Sequence, residues 1–107
     1  MKRRRWKAPN NPTTPARQVW RALWPGEPWP KGWRVVWVGF MRGASGLCDY
    51  STQRILLNHS DGRWGPVLRT LVHEMIHVRH KGLRHGKDFR RIEDSLCLRL
   101  GIPPIHS

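Results

Sequence analysis

Apolar positions recur along this chain in two periods, and the changes of period mark its elements. From Pro66 the chain reads Pro-Val-Leu-Arg-Thr-Leu-Val-His-Glu-Met-Ile-His-Val-Arg-His-Lys-Gly. Leu68, Leu71, Val72, Met75 and Ile76 fall at the i, i+3, i+4, i+7, i+8 spacing of a helix with one buried stripe. Pro66 suits a first helical turn and Gly82 the residue just past the end. A second helical pattern over residues 87–100 puts Phe89, Ile92, Leu96 and Leu100 on one stripe and stops at Gly101 before Pro103-Pro104. Residues 34–41 and 53–58 are β-branched and aromatic enough for strands, with a further short strand near 48–51. A short helix is expected over 16–24, ended by Pro25-Gly26, with turns at 29–32 and 60–63. No repeat is visible. The pattern predicts an α+β fold: a small antiparallel or mixed sheet packed against one long helix and its partner. At 107 residues this is one compact domain, expected over 16–107, preceded by an arm over 1–15.

The long helix carries His73-Glu74-Met75-Ile76-His77. Residues four apart lie on one helical face, so both imidazoles can reach one ion, while Glu74 sits where it can take a proton from a bound water. With six His and three Glu in the chain, composition alone gives about 0.01 expected matches to this pattern. The competing reading of a histidine is a hydrogen-bonded core residue, and that needs the apolar face. At roughly 100° per residue, His73 and His77 fall largely opposite the centre of the stripe, with Glu74 to one side. A solvated polar helix face is the other alternative to metal binding.

A catalytic zinc needs a third protein ligand and an open position. His80 is near the same face but roughly 10 Å along the axis from His73, too far for one ion on a regular helix. Leu83 stands where HExxHxxGxxH would place its third histidine, so that pattern fails. His85 lies beyond Gly82, where the chain can turn back toward the metal, and is the expected third ligand. A loop histidine without a partner is its competitor. Asp88, Glu93 and Asp94 are weaker candidates, equally explained as charge near a helix N-terminus.

The combination of His73-Glu74-x-x-His77, a short gap and His85-Gly86-x-x-Phe89 resembles the SprT-like metalloprotease family, which includes the Spartan-type DNA–protein crosslink proteases. The preceding Gly46-Leu47-Cys48-Asp49-Tyr50 and Arg54-Ile55-Leu56-Leu57-Asn58 are also similar. The resemblance covers roughly 33–101 and is strongest over 54–89. It implies a zincin-like domain, one zinc held by His73, His77 and His85, and a general base at Glu74. It also implies an intracellular peptidase acting on DNA-associated proteins. Many family members carry a cysteine-rich zinc ribbon after the catalytic domain. Cys48 and Cys97, the two cysteines here, cannot build a four-cysteine site, so no second zinc is expected.

Charge supplies another route to DNA. The net charge is +13, with 20 Lys and Arg against 7 Asp and Glu, which favours polyanionic partners through counterion release. Lys2, Arg3, Arg4, Arg5, Trp6 and Lys7 concentrate part of it in the arm, and the proline-rich stretch after them is expected to be flexible. The ordinary reading of such a run is a solubilising tail or localisation signal. Seven Trp are unusual for this length, and Trp20, Trp24, Trp29 and Trp33 are interleaved with Arg17, Arg21, Lys31 and Arg34. Such rings could stack on unpaired bases of single-stranded DNA. For any one of these Trp a place in the core is the favoured reading, and Trp6 is the best stacking candidate.

No apolar run follows the basic N-terminus, no stretch approaches membrane-spanning length, and two cysteines offer no disulfide framework, so an intracellular protein without membrane contact is expected. The expected activity is zinc-assisted peptide hydrolysis with Glu74 as base; Tyr50, His80 and nearby arginines are candidate oxyanion donors. Two other readings stay open: a zinc-stabilised nucleic-acid-binding or adaptor domain, and a zinc peptidase unrelated to DNA.

Overall fold

The computed structural model of the chain describes residues 10–39, 45–58 and 64–102. In chain order the elements are α1 (Thr13–Leu23), β1 (Arg34–Val38), β2 (Gly46–Asp49), β3 (Arg54–Asn58), α2 (Trp64–Arg79) and α3 (Lys87–Arg99). The result is a small α+β fold with three helices and a three-stranded mixed sheet. The strand order is β1-β3-β2, with β1 parallel to β3 and β2 antiparallel to it. The last strand in sequence thus takes the central position. Its Ile55 and Leu57 are each 1 % exposed, as is Val35 on the edge strand β1.

One sheet face carries Val35, Ile55 and Leu57, and against it pack Ala16 and Trp20 of α1 and Val67, Leu71 and Met75 of α2. On its other flank α2 gives Val72 and Ile76 to a second cluster with Leu23, Phe89, Leu96 and Cys97. The stripe of α2 is therefore split between two neighbours, which locks α2 between the sheet and α3. Burying each such side chain is worth about 1.5–3 kcal/mol.

Several boundaries moved from the expected ones, each for a local reason. Helix α1 begins at Thr13, so the last residues assigned to the flexible arm are helical. Pro15 fits a first turn, and the Thr13 hydroxyl accepts from Val35 N–H (2.9 Å) and donates to Val35 O (3.1 Å), pinning the helix start to β1. Strand β2 lies two residues earlier than expected, because residues 50–53 are consumed by the turn into β3. Asp49 organises that turn, its Oδ1 accepting from both the N–H and the hydroxyl of Ser51. Strand β1 ends at Val38; residues 40 and 41 of the expected strand, and the expected turn at 60–63, lie outside the described residues. Helix α3 ends as its pattern predicts, with Ile102 N–H closing onto Cys97 O at 2.8 Å and Gly101 N–H onto Leu98 O at 3.0 Å. Among the described residues no helix is long and apolar enough to cross a membrane.

Candidate metal centre

His73 and His77 stand one turn apart on α2, each half-buried at the margin of the packed stripe. The chain then leaves the helix through His80 and Lys81. Gly82 takes φ +93°, a left-handed conformation that glycine alone adopts freely, and the backbone reverses. This reversal carries His85 back over α2. His85 Nε2 lies 3.1 Å from His73 Nε2 and 2.9 Å from His77 Nε2. Three imidazoles thus turn the same nitrogen toward one point, and their ligand atoms all lie within 4.8 Å of one another.

A tetrahedral zinc with bonds of roughly 2.0–2.1 Å to nitrogen would hold its ligands a little over 3 Å apart, close to these separations. The donor set also fits a cation on chemical grounds. Neutral imidazole has one donor and one acceptor nitrogen, so three Nε2 atoms meeting at a point cannot satisfy each other fully, whereas a cation satisfies all three. Among the described residues the group has three members and no fourth His, Cys, Asp or Glu, which leaves one side open. His80 is outside the cluster, as the axial distance predicts.

Phe89 of α3 forms the apolar floor. Its ring centroid is 4.7, 4.8 and 4.9 Å from those of His73, His77 and His85. With Phe89, an open cleft of about 200 Å³ is lined by His73, His85, Gly86, Arg90 and Glu93. This is smaller than pockets that enclose a small molecule.

Glu74 lies against the start of β2 and is 7 % exposed. Burial holds its carboxyl above the usual carboxylate range, an effect partly offset by the neighbouring His73. Gly46 makes room for it: a Cβ there would lie 2.5 Å from Thr70 Cγ2 and 3.3 Å from Glu74 Cγ. Any larger residue at the start of β2 would push the strand off α2 and displace the carboxylate.

Two residues have duties that sequence reasoning missed. Glu93, offered from sequence as a weak metal ligand, stands behind His73: its Oε1 meets His73 Nδ1, the nitrogen facing away from the cluster. That contact raises the His73 pKa and, with Arg69, helps hold Glu93 below the usual range against the opposing effect of its own burial. A carboxylate twenty residues from a histidine leaves no local signal, and only the packing of α3 on α2 creates the pair. Tyr50, a candidate oxyanion donor, gives its hydroxyl to the carbonyl of His77 at 2.7 Å. Burial pushes its pKa up to about 12, so it remains a donor. Burial of His77, the second imidazole on α2, lowers its pKa and favours the neutral form that a metal requires.

Asp88 and Asp94 are not in the cluster; Asp94 instead receives Arg69 at 3.0 Å. Cys48 and Cys97 are free thiols, and burial pushes Cys48 up to about 11, so it stays protonated. Lys2, Arg3, Arg4, Arg5, Trp6 and Lys7 lie outside the described residues. No family model, curated protein or solved structure matches this chain.

Proposed function

We propose that this protein is a zinc-dependent metalloendopeptidase of SprT-like type with a zincin-like domain, acting on DNA-associated proteins. The observation that carries the reading is the convergence of His73, His77 and His85 on one point with buried Glu74 one residue along from the first ligand. Three ligands with an open side suit a catalytic ion better than a structural one, which is normally closed by four. A carboxylate kept in a desolvated position at that spot costs stability, and a purely structural metal gives no reason for it.

When bound, zinc would polarise a peptide carbonyl and lower the pKa of a water to about 7. The chain's own residues supply the rest. The three imidazoles hold the ion, with Phe89 packed beneath their rings to fix their orientation. Glu74 accepts a proton from water and returns it to the leaving amine; its raised pKa suits that two-way traffic. Strand β2 is one of the two sheet edges among the described residues, and its Gly46 lies against Glu74. An extended peptide pairing with this edge would bring a carbonyl past the cluster. Arg90, in the cleft wall, is the arginine best placed to meet a developing negative oxygen.

The DNA part of the proposal rests on charge. Lys81, Arg84, Lys87 and Arg90 are all exposed around His85, with Asp88 the single exposed acid among residues 81–91. These exposed cations, of which Arg90 lines the cleft, would hold a nucleic-acid backbone and concentrate proteins bound to it.

The test is cleavage of a DNA-binding protein by zinc-loaded wild type and Glu74→Gln, with and without single-stranded DNA. DNA-stimulated cleavage lost in the variant supports the whole reading. Cleavage indifferent to DNA removes the DNA part. Absence of cleavage while zinc and DNA both bind favours a binding module instead.

A further inference from the structure

The metal cluster is supported unequally. Among the described residues, a carboxylate is recorded on the outer ring nitrogen of His73, while no such partner is recorded for His77 or His85. That carboxylate is itself held. Arg69, one turn before His73 on the same helix and 7 % exposed, places Nη2 3.4 Å from Glu93 Oε2 and 3.0 Å from Asp94 Oδ1. The guanidinium occupies one carboxylate oxygen of Glu93 and leaves Oε1 for His73 Nδ1. The chain of contacts runs from Arg69 across to α3 and back to α2, closing a loop over one helical turn.

Resting on the metal-centre reading above, we propose that Arg69 and Glu93 are positioning residues for the metal, acting through His73. Glu93 accepts from Nδ1–H, which leaves Nε2 unprotonated and aimed at the cluster. The ring is therefore oriented toward the cluster, and its neutral form holds the ligating tautomer, before any ion arrives. Arg69 stops Glu93 from rotating away, since its buried guanidinium bridges the two carboxylates through the single nitrogen Nη2 and ties Glu93 to Asp94. His73 is the anchored ligand of the three. His85, exposed on the turn between Gly82 and Gly86, reaches the cluster through the chain reversal, without a carboxylate behind it among the described residues.

The decisive experiment measures zinc and cobalt dissociation constants of the full chain by chelator competition. It compares wild type with Glu93→Ala, Glu93→Gln, Arg69→Met, Asp94→Ala and the double variant Arg69→Met/Glu93→Ala. Glu93→Ala is expected to weaken metal binding about 10–100-fold. Glu93→Gln, whose amide oxygen can still accept from Nδ1, should recover part of that loss. Arg69→Met should weaken binding although it touches no ligand, and the double variant should be no worse than Glu93→Ala, because both act through one contact. If Arg69→Met fails to fold, Arg69→Lys serves, keeping the charge but not the planar guanidinium whose Nη2 bridges Glu93 and Asp94.

The proposal is overturned if Glu93→Ala binds metal as wild type does. It also falls if the double variant is additive, or if Asp94→Ala, which loosens the same interhelical ion pair without touching His73, weakens binding as much as Glu93→Ala. A wild-type chain that binds neither metal would overturn the peptidase reading along with it. Ring-nitrogen NMR of the metal-free protein gives a readout independent of metal. A His73 that carries its proton on Nδ1 in wild type, and becomes a tautomer mixture in Glu93→Ala, is expected; an Nε2–H form in wild type would contradict the mechanism.

Discussion

The two halves of this molecule treat their conspicuous side chains in opposite ways. In the half built from α1 and the turn after it, the Trp residues go inward. Trp20 and Trp33 are 4 % and 8 % exposed, Trp20 packs on Trp24 and Trp29 at centroid distances of 4.5 and 5.6 Å, and the indole N–H groups of Trp20 and Trp29 are spent on the carbonyls of Glu27 and Trp33. In the half built from α2 and α3, polar side chains are turned toward one another: three histidines meet, and Glu93 and Arg69 are arranged behind them. Aromatic rings lower the free energy by packing, so their density reports core. Three imidazole nitrogens turned on one point cannot all satisfy one another, so a cation there would lower the free energy in a way that packing alone does not.

The comparison is broken or sharpened first at Glu74. Glu74→Gln is expected to lower peptide hydrolysis by about 10²–10⁴-fold with zinc content unchanged, measured on zinc-loaded protein. A variant that loses zinc as well would make Glu74 a structural part of the site. Next in size, Trp20→Ala should destabilise the fold by about 3–5 kcal/mol in denaturant unfolding. Its affinity for single-stranded DNA should fall no further than the unfolded fraction explains; a folded variant with lost DNA binding would move this Trp from core to interface.

Smaller, and opposite in sign, is the effect of Glu74 on stability. Burial raises its carboxyl pKa, so the folded state holds that proton more tightly than the unfolded chain does. The stabilisation is complete below the ordinary carboxylate pKa and is lost as pH rises through the raised folded value. Metal-free Glu74→Gln should therefore melt above wild type near neutral pH, and the gap should close at about pH 4, where both side chains are neutral. Equal melting temperatures at both pH values would show that the carboxylate is not strained. The smallest effect is expected from Tyr50→Phe: about 1 kcal/mol of stability for the bond to the His77 carbonyl, with hydrolysis within a few-fold of wild type. A loss of about 10²-fold in turnover would instead return Tyr50 to the role of oxyanion donor.

Much of the frame was legible in the residues themselves. Helical spacing located α2 and α3 to within a few residues, and the i, i+4 pair with its neighbouring glutamate follows from helix geometry alone. Gly82 announced the reversal that brings His85 back, since a left-handed residue at a helix end turns the chain. Strand order was not legible. Val35 of β1 is packed under the helices as deeply as Ile55 and Leu57 of β3, so apolar pattern and burial alone do not rank the strands, and only the pairing of backbone edges in the folded chain does. The duties of Glu93 and Tyr50 were hidden for the same reason. Their side chains carry one chemistry in isolation, and the fold chose the atom each one meets.

By itself, then, the sequence determined which residues can ligate and on which helical face they stand, because periodicity within one helix is set by its backbone. Tertiary structure alone decided how the ligands are held: Glu93 behind His73 with Arg69 holding it, Glu74 sheltered under Gly46, and Tyr50 tied to the carbonyl of His77. Those contacts join residues far apart in sequence, and their geometry exists only after α2 has been wedged between the sheet and α3.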